Sequence, residues 1–365
     1  MRRVLLAIHL WAGLVAALIF FALGVSGSIL AFDGEIDRAL NPGLTWINSG
    51  TAHLTLKEMI AKLKAAYPGY DVAGIEPSEH NDVAWNALLT NDTREHSIAF
   101  NPYNGTVLGD ESAHNNFTGY VHQFHIRLLA GKTGSNIVTA AAVILLILAI
   151  TGLVLWWPRK LFTVSWRSSW KKLNLEAHQV LGLYTSAFLM VFALSALVIH
   201  WDDAVQHLVN RLAGSSSEPQ FPRLKPLQPD KPAPDFDAIV ETAHKAEPDA
   251  RVTAIFTDSN PVRIIMKHPD DHTPAGRTNV FIDAYKDRNV LIADWRTGSP
   301  GLRWVKLWNR EVHTGDIGGL PTRILASVIS LSLPMMTITG PLIWWNRRRK
   351  RLPERELQQL AGERM

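Results

Sequence analysis

The stretch YVHQFHIRLLAGKTG, residues 120–134, places two histidines, His122 and His125, just ahead of a long apolar run. One imidazole, His313, stands in the same relation to another apolar run near the C-terminus. Two further histidines, His9 and His178, sit near the start of the remaining two runs, each followed four residues on by a glycine, Gly13 or Gly182. A neutral imidazole offers one nitrogen to a metal, and two imidazoles from different helices can hold the iron of a b-type haem from opposite faces of a flat apolar slot. Histidine in a membrane segment is costly and usually functional. The plainer reading is a hydrogen-bonded structural histidine. It does not explain why the same placement occurs twice.

The elements that must position these residues follow from composition. The chain has 365 residues, 47% of them hydrophobic, and a formal net charge of +4. Four apolar runs, residues 4–32, 137–157, 180–199 and 324–345, are long enough for a bilayer, which takes about 20 residues. Lys and Arg cluster at Arg2 and Arg3, at Arg159, Lys160, Arg167, Lys171 and Lys172, and at 347–351. If all four runs cross, these clusters share one side, which the positive-inside rule makes cytoplasmic. Both termini are then cytoplasmic and both long intervening segments lie outside. The basic balance is thus a topology signal rather than a sign of nucleic-acid binding. The first run is too long for a signal peptide and reads as a retained helix. With no cysteine, disulfides, covalent haem attachment and cysteine-bound Fe–S clusters are excluded.

The chain reads as an internal duplication. ITGLVLWWPRK at 150–160 and ITGPLIWWNRRRK at 338–350 align with a shift of 188 residues, and the same shift carries His125 onto His313. AIHLWAGL at 7–14 and EAHQVLGL at 176–183 align with a shift of 169, which carries His9 onto His178, Ser26 onto Ser195 and Asp33 onto Asp202. Repeats of the same membrane orientation imply a pseudo-twofold axis along the membrane normal. The outer segments read as two small α+β modules. The first is a helix ended by Pro68-Gly69, then strands with an Asn104-Gly105 hairpin turn. The second repeats helix and strands after a Pro-rich linker at 214–234. The expected fold is therefore membrane α-helical, with four transmembrane helices and two periplasmic α+β domains. Its divisions are helix 1 (1–33), outer domain 1 (34–120), an outer interfacial segment (121–136), helix 2 (137–158), a basic cytoplasmic loop (159–176), helix 3 (177–201), linker and outer domain 2 (202–303), a second interfacial segment (304–323), helix 4 (324–346) and a cytoplasmic tail (347–365).

In that frame His9 and His178 lie at the cytoplasmic ends of their helices, and His125 and His313 at the outer face. Two imidazole pairs result, one near each side of the bilayer, fit to hold two stacked haems. His122 and His125 share a helical face at i,i+3 and cannot ligate one iron from opposite sides, and only His125 has a duplicate. His122 is left either to a haem propionate or to solvent. His200, at the outer end of helix 3, is a second candidate for the outer ligand or a substrate-side residue. His53, His80, His96, His114, His207, His244, His268 and His272 read as surface residues. The Trp156-Trp157 and Trp344-Trp345 pairs read as an aromatic belt, Met335-Met336 as packing, and Pro334 as a kink. Zinc or copper is the rival ligand, with acidic and cysteine partners scarce.

Together, the histidine–glycine starts, His125 and His313 before the falling helices, and the ITG-x-x-x-WW endings resemble the PepSY-associated transmembrane family. FNPYNGTVLGD at 100–110 is similar to the close of a PepSY domain. The resemblance covers nearly the whole chain. It is strongest to the di-haem members that reduce ferrioxamine-type ferric siderophores. It implies two b-type haems on His9, His178, His125 and His313, and a bacterial inner-membrane oxidoreductase with a ferric hydroxamate siderophore as substrate. No flavodoxin-like or reductase domain follows the basic cluster, so the implied electron donor is quinol or a separate cytoplasmic reductase. The outer segments depart from a perfect repeat around 219–234, so substrate contacts do not carry over. Two other classes stay open on the residues alone: a four-helix transporter using histidines as a proton relay, and a PepSY sensor or protease-regulating module without redox activity.

Overall fold

The computed structural model describes residues 1–110, 116–158, 160–213, 218–228, 230–285 and 288–348. Arg159, His114, part of the Pro-rich linker and the basic tail beyond Arg348 lie outside the described residues.

The four apolar runs form helices α1 (Arg2–Leu30), α5 (Gly131–Trp156), α6 (Trp170–His200) and α10 (Leu320–Arg348). Each has 26 residues or more and is long and apolar enough to cross a membrane. Two of the four, α5 and α6, start at least six residues before the apolar run, because polar flanks continue the helical ladder past the hydrocarbon. α1 packs on α5 and α10, and α6 packs on the same two, so α1 and α6 occupy opposite corners of a four-helix bundle. The outward faces stay apolar and bare, with Val15 and Leu18 on α1 about three-quarters exposed or more. α1 and α10 approach closely at Gly24, where a Cβ would come within 2.5 Å of the Pro334 ring.

Both polar segments leave the bundle at the same end, opposite Arg2, Arg3, Arg347 and Arg348. The first contains α2 (Asp33–Leu40), α3 (Leu56–Ala66), strands β1 (Asp71–Glu76), β2 (Trp85–Thr90), β3 (Glu95–Phe100) and β4 (Val107–Asp110), then α4 (Phe117–Arg127). The second contains α7 (Asp202–Ala213), α8 (Phe236–Ala246), β5 (Arg251–Phe256), β6 (Val262–Lys267), β7 (Thr278–Ile282), β8 (Val290–Asp294) and α9 (Asn309–Thr314). Each half does supply one helix and four strands, as expected for two α+β modules. They are not separate, however. The strands form one eight-stranded antiparallel sheet in the order β8-β7-β6-β5-β1-β2-β3-β4.

The seam is β1 against β5, with Gly74 opposite Phe256 and Ile75 opposite Ile255. A register shift beside the seam recurs in each half, at Val72/Gly74 and at Val252/Ala254. Helices α3 and α8 cover one face, sealing Met59, Leu63, Ile239 and Ala243 against Ile75, Leu89, Ile264 and Met266 in a single core. Sequence could not foresee the fusion, because strands with buried faces look alike whether their edges are paired or free. The Asn104-Gly105 turn forms as expected, with Gly105 at φ +75.

Two contacts tie the halves together. The carboxylate of Asp237 on α8 accepts bonds from the Leu56 and Lys57 amides at 2.8 and 3.3 Å, capping α3 from the other half. The capping box of Thr55 and Glu58 covers the same helix end. At the base of the sheet domain, Arg323 on α10 donates to both carboxylate oxygens of Glu35 on α2 at 2.8 and 2.6 Å, and to the Ala31 carbonyl at 2.8 Å. That bidentate contact holds the Glu35 carboxyl below its usual range.

Most outer histidines lie where expected. His53, His80, His207, His244 and His272 are exposed and His96 is half-buried against Asp110 and Tyr70. His268 is the exception: it is buried, with its Nε2 3.2 Å from the Glu247 carboxylate at the end of α8. It directly follows β6, and the end of that strand is covered by α8.

Replacing Asp237 by Ala strips two amides of α3 of their acceptor. The expected loss is about 1 kcal/mol, read as a lower thermal midpoint of the solubilised protein, with Asp237→Asn losing less.

Candidate functional site

Helix α1 carries His9 two turns from its start, and α6 carries His178 at its eighth position after Trp170. Because α1 and α6 stand at opposite corners, their inward faces meet across the bundle axis. The two ring centres are 6.4 Å apart. At the other end, His125 on α4 and His313 on α9 face each other with ring centres also 6.4 Å apart. An imidazole nitrogen lies about 2.0–2.1 Å from a metal it ligates and about 1 Å from its own ring centre, so two rings on opposite sides of one metal have centres roughly 6 Å apart. Both pairs have that spacing.

Each ring is held from behind. His9 Nδ1 is 2.9 Å from Thr151 Oγ1, and His178 Nδ1 is 2.8 Å from Thr339 Oγ1. His125 Nδ1 is 2.8 Å from Ser26 Oγ, and His313 Nδ1 is 2.9 Å from Ser195 Oγ. The one proton of each hydroxyl is already engaged. Thr151 donates to Ile147 O, Thr339 to Met335 O, Ser26 to Ala22 O and Ser195 to Phe192 O, all at 2.7–2.9 Å. The hydroxyl therefore accepts from Nδ1–H, which leaves Nε2 as the free lone pair on each ring. For His313 the Phe192 carbonyl, 3.1 Å from the same Nδ1, can only accept and fixes the same tautomer. In the pair at the sheet end, burial pushes His125 down to about 3 and lowers His313 as well, so both rings are neutral at ordinary pH.

Small residues make the room. A Cβ on Gly152 would lie 3.2 Å from His9 Cε1, and one on Gly340 3.5 Å from His178 Cε1. A Cβ on Gly27 would lie 3.1 Å from His125 Cε1. The repeated ITG motif thus has a local meaning: its threonine holds an imidazole and its glycine lets the ring lie against the helix.

Around His9 and His178 the four helices leave a cavity of about 260 Å³. That is many times the share of one water, about 30 Å³, and suits an organic ligand better than a bare ion. Its walls are mainly leucine, with the four glycines Gly13, Gly152, Gly182 and Gly340. Trp156 and Trp344 line it while Trp157 and Trp345 are at least half exposed, so each tryptophan pair splits between cavity and belt. Met336 lies over Gly182 as a packing residue. No carboxylate lines the cavity, and among the described residues no group of three His, Cys, Asp or Glu converges as a zinc or copper site would require.

The remaining expected site residues stand apart. His200 is exposed beyond the outer pair, with Nδ1 3.4 Å from Ser135 Oγ and its ring on Trp201. It is His313, not His200, that faces His125. His122 is exposed on α4, one turn before His125. The sequence reading missed the roles of Thr151, Thr339, Ser26 and Ser195, although the shifts of 188 and 169 that pair the histidines also pair these hydroxyls. It also missed the π-helical turn at Trp304–Trp308, after which Asn309 donates to the Ser195 carbonyl at 3.1 Å and seats α9 on α6. Glu311 on α9 is fully buried, 4.0 Å from Arg277, and burial raises its carboxyl.

A family model described as the PepSY-associated TM region matches residues 6–347. No curated protein matches the chain.

Thr151→Val keeps the shape of the site but removes the acceptor behind His9. Loss of such a supporting hydrogen bond typically weakens metal binding 10- to 100-fold. If the paired rings hold haem iron, titration of the variant with ferric protoporphyrin, followed by absorbance, should show that weakening for one equivalent only.

Proposed function

Because this chain belongs to the PepSY-associated transmembrane family, we propose that it is an inner-membrane haem b protein that passes electrons along the bundle to a ferric siderophore. The observation that carries this reading is the imidazole pair at one-metal spacing, present at both ends of the bundle and backed each time by a hydroxyl. Haem iron between two such rings supplies one-electron transfer between Fe(III) and Fe(II) without a change of ligands.

The protein's own residues do the rest. The Nδ1 bonds leave Nε2 free on each ring, and within each pair the ring centres lie 6.4 Å apart. Leucine walls keep water from the inner pair. From His9 to Ser26 is seventeen residues of α1, about 25 Å. Buried Ala16, Phe20, Leu189 and Leu333 fill the bundle between them. The matching Ser–His and Thr–His contacts in the two halves support an origin by internal duplication.

Arg2, Arg3, Lys171, Lys172, Arg347 and Arg348 gather at the end of His9 and His178, which supports a cytoplasmic placement of that end and a periplasmic sheet domain. Electrons then enter from quinol or a separate cytoplasmic reductase and leave at the outer pair. A hydroxamate siderophore of ferrioxamine type binds the hard Fe(III) ion through oxygen. One electron converts it to Fe(II), which such oxygens hold far less tightly, and the intact chelator is released. The step needs no acid–base pair or nucleophile.

The purified protein should show a b-type Soret band with two haems per chain. His9→Ala or His178→Ala should remove one, His125→Ala or His313→Ala the other, and His200→Ala neither. A colourless protein that moves substrate across vesicles would point to a transporter, and one that binds a protein partner without redox activity to a sensor module.

A further inference from the structure

Among the residues lining the cavity around His9 and His178, one carries a permanent charge: Arg347. Gly340, Ile343, Trp344 and Arg347 all line it from α10, at the i, i+3, i+4 and i+7 spacing of one helix face. Gly340 lies against the His178 ring. Arg347 is therefore about 10 Å further along the axis, at the mouth of the cavity. Helical side chains lean back towards the N-terminus, so the Arg347 guanidinium inclines towards Gly340 and the cavity. Its neighbour Arg348 is occupied over the Trp344 ring at 4.7 Å. Among the described residues Arg347 has no carboxylate partner.

A flat apolar disc with carboxylates along one edge matches this arrangement. The leucine walls can take the disc, but nothing deeper in the cavity can offset the charge of a buried carboxylate. The mouth can, because a guanidinium fork accepts a carboxylate in bidentate fashion. We propose that Arg347 is a ligand-binding residue that anchors a propionate of the inner haem, so that the carboxylate edge of the macrocycle faces the basic end of the bundle. This rests on the haem reading above, and the test separates the two. An anionic lipid headgroup could meet the same cation, so the carboxylates themselves must be the variable.

The experiment titrates the haem-stripped full chain in detergent with ferric protoporphyrin and with its dimethyl ester, which lacks the carboxylates. In Arg347→Gln, one of two equivalents of ferric protoporphyrin should bind roughly ten- to a hundredfold more weakly than in wild type. The dimethyl ester should bind both proteins alike. Arg347→Lys, a point charge without the fork, should recover only part of the loss. Equal binding of the free acid by wild type and Arg347→Gln overturns the assignment, as does an equal loss for both porphyrins. A wild type that takes up neither porphyrin overturns the haem reading and this assignment with it.

Discussion

An imidazole placed inside an apolar helix bundle has two nitrogens to satisfy, and here a hydroxyl on a neighbouring helix satisfies one. The hydroxyl proton is spent on a carbonyl of its own helix, so the ring must donate through Nδ1. Its Nε2 is then the nitrogen left free, on a ring whose centre lies 6.4 Å from that of its partner. Much of the bundle is arranged around that constraint. The hydroxyl must lie beside the ring, three of the four rings lie against a glycine, and two such rings oppose each other at the same spacing at each end.

The inner and outer pairs solve the problem differently. His9 and His178 sit on long helices, so bundle packing alone sets their separation. His125 and His313 sit on short helices between the sheet domain and a descending span, where packing of the spans does not fix them. Their placement depends on the sheet domain. The β1–β5 seam joins the halves, Asp237 caps a helix of the opposite half, and Arg323 pins α10 to α2. Asn309 and the buried Glu311 then fix α9 between α6 and the sheet side. A fused sheet is thus a condition for the outer pair as much as a domain in its own right. Under the proposed function it also positions the surface at which electrons leave.

The two halves share the hydroxyls that hold the rings and differ towards the sheet end. Thr151 and Thr339, like Ser26 and Ser195, keep one role in each half. By contrast, Gly27 beside His125 has Ala196 at the matching position in the other half, His200 answers to Ala31, and α9 is preceded by a π-helical turn. These departures concentrate at the sheet end, while the end of His9 and His178 remains nearly symmetric.

The sequence by itself determined the four helices, because length and hydropathy decide what can cross a bilayer. It also determined which histidines belong together, because two constant shifts pair them. The strands, the hairpin at Asn104-Gly105 and the helices over the sheet were legible for the same local reasons: periodicity, turn chemistry and caps. Only the tertiary structure decided that eight strands form one sheet, since edge pairing leaves no mark on side-chain alternation. The shift of 188 already favoured His313 over His200, and the tertiary structure sets the His313 ring opposite His125 while His200 stays exposed. The roles of Thr151, Thr339, Ser26 and Ser195 were also hidden, because a membrane hydroxyl bonded to its own helix looks the same in sequence whether or not a second helix brings an imidazole to its lone pair.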